Sequence, residues 1–143
     1  MTLQTIIDAL RSQGGLLSTL GIEFDVSGPS VSASMTIEPH HAGAPGIAHG
    51  GAIAALLDSA LGVEALKLAL EAGRLTSTVE LKTNFLRPVP VGRRIVVEPE
   101  VQSRGKSLLV LSGAAVDTET GERVAFAVGT FNVFATDRLE SRA

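Results

Sequence analysis

The sequence has 143 residues, of which 45% are hydrophobic and 19% charged, a length and composition typical of one globular domain. The formal net charge of −3 and the absence of Trp and Tyr argue against a nucleic-acid-binding protein. The absence of cysteine excludes disulfides, thiolate metal sites and a cysteine nucleophile.

The N-terminal part of the chain predicts a short helix followed by a hairpin. Residues 2–13 carry apolar side chains at helical spacing and stop at a glycine pair, so we assign residues 1–15 to an N-terminal helix. Residues 20–26 and 30–38 predict two strands, the second with clean alternation of apolar and polar side chains. The first residues lack the basic segment and cleavage site of a secretion signal, so we expect a cytoplasmic protein.

The middle of the chain predicts a loop at 39–48 and a long helix at 50–72, with Gly73 as its C-cap. No apolar run is long enough to cross a bilayer, so a membrane is not an expected partner. The mean hydropathy of +0.31 is nevertheless high for a small monomer. We therefore expect a subunit interface to cover part of the apolar surface.

The C-terminal half predicts four strands, at 76–85, 93–102, 107–116 and 123–134, before a polar tail at 136–143. The connections are short, which requires antiparallel neighbours. The expected fold is α+β, an antiparallel sheet of about six strands wrapped around one long helix in a single domain, 1–143. Strict alternation in 76–85 predicts two opposite faces, with Val79, Leu81 and Phe85 on one and Thr78, Glu80, Lys82 and Asn84 on the other.

Asp58 interrupts the apolar run of the long helix. On a helical wheel it lies opposite a predicted solvated stripe of Glu64, Lys67 and Glu71. Its own face carries small residues, namely Gly51, Ala54, Ala55, Gly62, Ala65 and Ala69. A capping or pairing role is one explanation, but buried carboxylates are costly unless paired and concentrate at functional sites. Asp58 is therefore a candidate catalytic residue.

His49, Gly50 and Gly51 open the same helix. Two glycines at a helix N-terminus leave backbone N–H groups free at the positive end of the dipole, with no side chain to obstruct a ligand. This arrangement predicts an oxyanion hole. His49 is a ligand or general base, or it braces the loop by hydrogen bonding. The three histidines do not form a recognisable metal set, so no metal site is predicted.

The spacing of Gly50 and Asp58 constrains how they act together. Eight residues along one helix correspond to roughly 12 Å, too far for one reacting carbonyl to touch both. If both serve one reaction, the donor and the carboxylate come from two subunits whose helices run antiparallel about a two-fold axis. Catalysis would then require a homodimer.

These residues, together with four other segments, resemble the hotdog-fold thioesterases of the phenylacetate-degradation (PaaI-like) type. The segments are Leu20-Gly21-Ile22-Glu23, Gly46 before the His49 motif, Thr78-Val79-Glu80-Leu81 leading into Asn84-Phe85-Leu86-Arg87-Pro88, and Gly105-Lys106-Ser107. The resemblance covers nearly the whole chain. It implies a hotdog fold, a homodimer that pairs into a homotetramer, and hydrolysis of an acyl-CoA thioester at the dimer interface.

The resemblance also implies roles for individual residues. The Gly50 N–H polarises the thioester carbonyl, Asp58 activates water or attacks directly, and the Thr78 hydroxyl helps to position the water. Further candidate substrate-binding residues are Gly51, Asn84, Arg87, Arg104 and Lys106. The three cations are candidates for the phosphates of coenzyme A, although ordinary solvated loop charges explain them equally well. No cofactor is expected other than the coenzyme A of the substrate.

Gly43 departs from the family pattern, in which many members carry an Asn that assists carbonyl binding. The departure predicts a lower rate, a substitute donor such as His40 or His41, or an activity that has drifted. The alternative function is a non-catalytic acyl-CoA-binding hotdog protein, a sensor or accessory subunit. Asp58 discriminates between the two, because binding needs no carboxylate facing a thioester.

Overall fold

Residues 2–137, which the computed structural model describes, form one large antiparallel sheet around a long helix. The helices are α1 (Leu3–Ser12), α2 (Leu16–Leu20) and α3 (Gly50–Leu70), with a 3-10 turn at Pro39–His41. The strands are β1 (Glu23–Asp25), β2 (Ser32–Thr36), β3 (Ala42–Ala44), β4 (Ile47–Ala48), β5 (Arg74–Phe85), β6 (Arg94–Val97), β7 (Glu100–Arg104), β8 (Leu108–Asp117) and β9 (Arg123–Ala135). Of the polar tail predicted at 136–143, residues 138–143 lie outside the described part of the chain.

The large sheet has the order β1-β2-β6-β8-β9-β5, and β7 also pairs with β8. Every pairing is antiparallel, so the α+β prediction is confirmed. The strand predicted at 93–102 is two strands, β6 and β7, separated at Glu98 and Pro99. Proline has no N–H to donate to a ladder, which explains the break.

Helix α3 fills the concave side of the sheet. Leu56, Leu57 and Leu61 have no exposed surface and pack with inward-facing residues of β2, β6, β8 and β9. The helix ends at Leu70, slightly before the predicted boundary. Gly73 has a φ of +66°, a left-handed conformation that suits glycine, and it turns the chain into β5.

The stripe predicted to be solvated is partly buried. Glu64 is only 4% exposed, and its Oε2 accepts a 2.6 Å hydrogen bond from the Val31 N–H. The Lys67 ammonium lies 3.5 Å from Glu64 Oε1 and donates to the Pro29 carbonyl. The prediction was wrong for Glu64, because this face of the helix holds the turn before β2 instead of facing solvent.

The structure adds short elements that hydrophobic periodicity did not predict. Helix α2 ends at Leu20, the first residue of the segment predicted as a strand at 20–26, and only β1 of that segment pairs with β2. The predicted loop at 39–48 contains the 3-10 turn and a small β3–β4 hairpin. These elements have five residues or fewer, too short for a periodic pattern. Within residues 2–137, no helix has the length and apolar character that crossing a membrane requires.

Candidate active site

Asp58 is hydrogen-bonded to Thr78. The Thr78 hydroxyl on β5 donates to Asp58 Oδ1 over 2.9 Å. Asp58 is half-buried on α3, and Oδ2 accepts no hydrogen bond from any other residue in 2–137. The contact thus orients the carboxylate and leaves one oxygen free to accept a proton.

A β-bulge at Val79 brings Thr78 to the helix side of the sheet. Thr78 pairs with Phe131 and Glu80 with Thr130 on β9, so Val79 is an extra residue in β5. Val79 is 61% exposed, whereas Leu81 packs against the core. The alternation predicted for 76–85 was therefore wrong at this point. A bulge shifts the side-chain alternation by one residue, so Thr78 and Leu81 face the helix.

A hollow of about 220 Å³ surrounds Asp58 and Thr78. Its floor is α3, with Gly62 and Leu66 beyond Asp58, and its walls come from β5 and from the two N-terminal helices. The lining is mixed, with the apolar side chains of Leu10, Leu17, Val63, Leu66 and Phe131 and the hydroxyl groups of Ser59, Thr76, Ser77 and Thr78. The carboxylate therefore lies in a hollow that has both apolar and hydroxyl-bearing walls.

His49 is the N-cap of α3. Its Nδ1 accepts a 2.7 Å hydrogen bond from the Gly51 N–H, and its own backbone N–H donates to the His41 carbonyl. Because Nδ1 accepts, the neutral imidazole carries its proton on Nε2. This hydrogen bond braces the loop, which is one of the roles for His49 that the sequence left open. It also occupies the Gly51 N–H.

The Gly50 N–H has no acceptor within residues 2–137. It opens into a groove of about 320 Å³ lined by Ala48, Gly50, Ile53 and the segment from Phe85 to Val89. The Phe85 ring packs directly on the glycine, since a Cβ added at Gly50 would lie 3.3 Å from the ring. A free N–H at a helix N-terminus beside an open groove has the features of an oxyanion site.

Gly50 and Asp58 lie in separate hollows of the single chain. The groove at Gly50 and the hollow at Asp58 share no lining residue. The helix geometry separates the two residues by roughly 12 Å. One chain therefore holds both groups without bringing them together.

The predicted substrate-binding residues are spread over the surface. Arg87 lines the groove at Gly50 and lies 3.7 Å from Glu122, and Asn84 is exposed next to Phe85. Arg104 and Lys106 lie at the other end of α3, in a hollow shared with Arg74. Arg104 pairs with Glu71 at 2.8 Å. Only Arg87 shares a cavity with Gly50.

Gly43 packs against His49. A Cβ added at Gly43 would lie 3.0 to 3.2 Å from Cδ2, Cα and Cβ of His49, closer than ordinary contacts. His40 lies 3.3 Å from the Thr19 carbonyl, and His41 is 3% exposed with Nδ1 accepting from the Glu38 N–H. Burial, followed by the charge of His40, lowers the pKa of His41. Neither histidine lines the groove at Gly50, so the geometry does not make either one a substitute donor.

Across the described part of the chain, His, Asp and Glu side chains form no group of three that could hold a metal ion. The groups available for chemistry are the Asp58 carboxylate, the Thr78 hydroxyl, the His49 imidazole and the Gly50 N–H. A carboxylate with a free oxygen can take a proton from water, and the N–H can stabilise an oxyanion. This set fits attack of water on a carbonyl group.

Comparison with protein families places the chain among known proteins. Residues 45–124 match the model of the family described as the Thioesterase superfamily. Acyl-coenzyme A thioesterase 13 of Homo sapiens is 32% identical over 95 residues, which cover 66% of each chain. The Mus musculus protein of the same name is 30% identical over 91 residues, 64% of each chain. The chain thus spans just under two thirds of the length of these curated relatives.

Solved structures with the same fold cover almost the whole chain. A thioesterase from Haemophilus influenzae superposes with a TM-score of 0.82 at 23% identity, over 94% of this chain and 92% of that one. A Thioesterase family protein from Silicibacter pomeroyi gives 0.80 at 27% identity, over 94% and 99%. The E. coli PaaI protein from the phenylacetic acid degradation operon gives 0.80 at 19%, over 93% and 94%. The predicted hotdog fold and the resemblance to PaaI-like proteins are confirmed.

Proposed function

The chain belongs to the thioesterase superfamily, and we propose that it is an enzyme that hydrolyses an acyl-CoA thioester at a site shared by two subunits. The names of its curated relatives support the substrate class. The main support is the hydrogen bond from Thr78 to Asp58, which lies in an open hollow. The free Gly50 N–H belongs to the same helix as Asp58. A binding protein would need no such oriented carboxylate.

The surface of α3 supports a site shared by two subunits. Antiparallel packing that places Gly50 of one copy beside Asp58 of the other puts the two-fold axis near Ala54, midway between them. Ala54 and Ala55 are half-buried in one chain and small enough for a second helix to approach closely. The homodimer is the catalytic unit in this proposal. A homotetramer would further cover half-exposed apolar residues on the outer sheet face, among them Val96, Val116 and Phe126.

Hydrolysis then needs only water and the groups already described. The free oxygen of Asp58 takes a proton as the water oxygen attacks the thioester carbonyl carbon. The N–H of the second copy's Gly50 stabilises the negative charge on the carbonyl oxygen. Collapse of the tetrahedral intermediate breaks the C–S bond, and the thiolate leaves and is protonated to coenzyme A. The other product is the free carboxylic acid.

Direct attack by Asp58 is the alternative chemistry, through a mixed anhydride that water then hydrolyses. The two routes differ in the origin of the new oxygen. In a single turnover in H₂¹⁸O, a general base puts ¹⁸O directly into the released acid. The anhydride route puts an Asp58 oxygen into the acid if water attacks the aspartyl carbonyl. Mass spectrometry of the product and of the Asp58 peptide distinguishes them.

Arg87 is the cation that we place near the coenzyme A phosphates, because it lies at the rim of the Gly50 groove. Asn84, next to Phe85, is placed at the same entrance. Arg104 and Lys106 lie near the C-terminal end of α3, about 18 Å along the helix from Asp58. They would contact only the distant end of an extended coenzyme A, and Arg104 would first have to leave Glu71. Coenzyme A is the only non-protein component in this scheme.

The test is a panel of short, medium, long and aromatic acyl-CoA thioesters, with released coenzyme A measured by a thiol reagent. We expect turnover of at least one thioester, and a loss of about 10²–10⁴-fold in Asp58→Asn with the dimer intact by gel filtration. Asp8→Asn, an exposed carboxylate on α1, is the matched control and should match the unchanged protein. Tight binding of acyl-CoA without turnover would favour the binding protein instead.

A further inference from the structure

We propose that His41 is a positioning residue for the reaction, because its imidazole holds the loop that aims the Gly50 N–H at the thioester carbonyl. The inference rests on the proposed function, in which that N–H is the oxyanion donor. His41 does not line the groove at Gly50, so it acts through the backbone and does not touch the substrate. This role differs from that of a substitute donor.

A chain of short hydrogen bonds leads from His41 to Gly50. The His41 carbonyl accepts from the His49 N–H over 2.7 Å. The His49 side chain accepts from the Gly51 N–H over 2.7 Å, and the His49 carbonyl accepts from the Ala52 N–H over 3.0 Å. Gly50 thus lies between a residue that His41 holds and the first turn of α3. A shift of the His41 backbone would therefore move the Gly50 N–H.

The His41 side chain fixes the position of its own backbone. Its Nδ1 accepts from the Glu38 N–H over 3.0 Å, and the His41 N–H donates to the Glu38 carbonyl over 2.9 Å. These reciprocal bonds close the 3-10 turn, with His41 at the place where a capping box usually has Glu or Gln. Removal of the Nδ1 acceptor would let the turn open, and the carbonyl that holds His49 would shift.

The burial of the imidazole indicates that Nδ1 is the useful atom. His41 is 3% exposed, and its Nε2 has no hydrogen-bond partner within residues 2–137. Because Nδ1 accepts, Nε2 carries the proton, and an unpaired buried N–H is destabilising. An apolar side chain would avoid that cost. The acceptor at Nδ1 is therefore what a histidine adds at this position.

Protonation of His41 would remove the same acceptor. In the imidazolium both nitrogens carry a proton, so Nδ1 would face the Glu38 N–H as a second donor. Burial, followed by the charge of His40, lowers the pKa of His41 from its ordinary value of 6.5. The charge of Glu38 and the backbone of Leu20 and Thr36 act on this pKa in the opposite direction. The acceptor is thus present at neutral pH and is lost as the pH falls through the folded-state pKa.

The first experiment measures kcat and KM at pH 7.5 with the thioester of the panel that turns over fastest. In His41→Asn the amide oxygen can take the place of Nδ1, so this variant should keep most of its kcat. His41→Leu and His41→Gln fill the space without an acceptor there, so kcat should fall by about 10- to 100-fold with little change in KM. His40→Leu changes the neighbouring, half-exposed histidine and should keep both constants.

A double-mutant cycle separates positioning from a general effect on the fold. Gly50→Pro removes the N–H that His41 aims, and its residual rate is read at high enzyme concentration. If His41 acts through Gly50, adding His41→Leu to Gly50→Pro should lower kcat by less than about twofold. A second loss as large as the one in the unchanged protein would overturn the positioning role.

The pH profile decides the question if His41→Leu and His41→Gln do not fold, as judged by circular dichroism. Protonation of Asp58 affects every variant, so the ratio of kcat in the unchanged protein to kcat in His41→Asn isolates His41. This ratio should be constant above pH 6.5 and fall below it.

The outcomes distinguish this inference from the proposed function. A constant ratio at every pH at which both proteins are folded overturns the positioning role and leaves the thioesterase intact. Equal kcat in His41→Leu and in the unchanged protein has the same consequence. No turnover of any thioester overturns the thioesterase, and the positioning role with it.

Discussion

The Thr78 hydroxyl donates a 2.9 Å hydrogen bond to Asp58 Oδ1, joining the edge strand β5 to the central helix. The contact depends on the bulge at Val79, which turns Thr78 towards the helix. Bulges often re-aim side chains next to active sites. The helix supplies the carboxylate, and the strand sets its orientation.

Removal of the Thr78 hydroxyl should lower the rate and leave the fold intact. A hydrogen bond to a charged group is worth about 1.5–3 kcal/mol, so kcat of Thr78→Val should fall by about 10- to 100-fold. Thr78→Ser keeps the hydroxyl and should retain most of the activity. Equal rates in the valine and serine variants would show that the contact does not serve the reaction.

Two inactive variants should restore activity when they share a dimer. Gly50→Pro removes the N–H at the first helical position, where proline is tolerated, and Gly50→Ala keeps the N–H but adds the same contact with Phe85. Random mixing of Gly50→Pro with Asp58→Asn makes half of the dimers mixed, each with one intact site, so about a quarter of the activity should return. Absence of recovery in verified mixed dimers would place both groups in one subunit.

Removal of the Glu64 carboxylate should destabilise the fold, although the sequence predicted that Glu64 lies on a solvated stripe of the helix. Glu64→Ala leaves the buried Val31 N–H without its acceptor, which costs about 1–3 kcal/mol. Glu71→Ala makes the same change at an exposed pair with Arg104 and should cost less than about 1 kcal/mol. Urea denaturation of both variants measures the difference, and equal losses would contradict the buried role.

A side chain at Gly43 should not improve the enzyme. Gly43→Ala and Gly43→Asn place a Cβ against His49, and overpacking of this kind costs about 1–3 kcal/mol. We expect a lower unfolding temperature and a lower kcat/KM in both, because the loop that positions Gly50 must shift. Gly28→Ala, which meets only Ser30 O at 3.6 Å, is the control. A faster Gly43→Asn enzyme would show that the loop accepts the family's amide donor.

The stability of the fold should decline in mild acid because of His41. Its pKa is lowered by burial from the ordinary value of 6.5, so below pH 6.5 the unfolded chain takes up a proton that the folded chain does not. This contribution to stability is complete above pH 6.5 and is lost as the pH falls towards the folded pKa. The urea midpoint should drop between pH 7.5 and 5.5, and the drop should be smaller in His41→Asn. Equal drops would exclude His41 as the cause.

Much of the fold was readable from periodicity. Apolar spacing predicts the central helix, the N-terminal helix and most of the strand positions, because the period of apolar residues in a long segment indicates which face is buried. The short helix α2 and the β3–β4 hairpin were missed, since they contain too few residues to show a period. The break between β6 and β7 had a signal in Pro99, because proline has no N–H to donate to a strand ladder.

The candidate site was only partly readable. The pairing of a glycine-opened helix with one carboxylate singled out Gly50 and Asp58. The face of Thr78 was predicted wrongly from alternation, because a bulge depends on strand pairing with β9 and not on local composition. The sequence did not predict that the hollow around Asp58 is lined by Leu10, Leu17, Gly62 and Leu66, although Gly62 was among the small residues on the same helix face as Asp58.

The sequence by itself determined the α+β class, the central helix and the distance between Gly50 and Asp58, because helical rise and hydrophobic period are local properties. Tertiary structure alone decided which groups meet. It joined Thr78 to Asp58 and buried Glu64 against the Val31 turn. These contacts join residues that are far apart in the sequence. The packing of the sheet on the helix brings them together, and that packing depends on strand register and on a bulge.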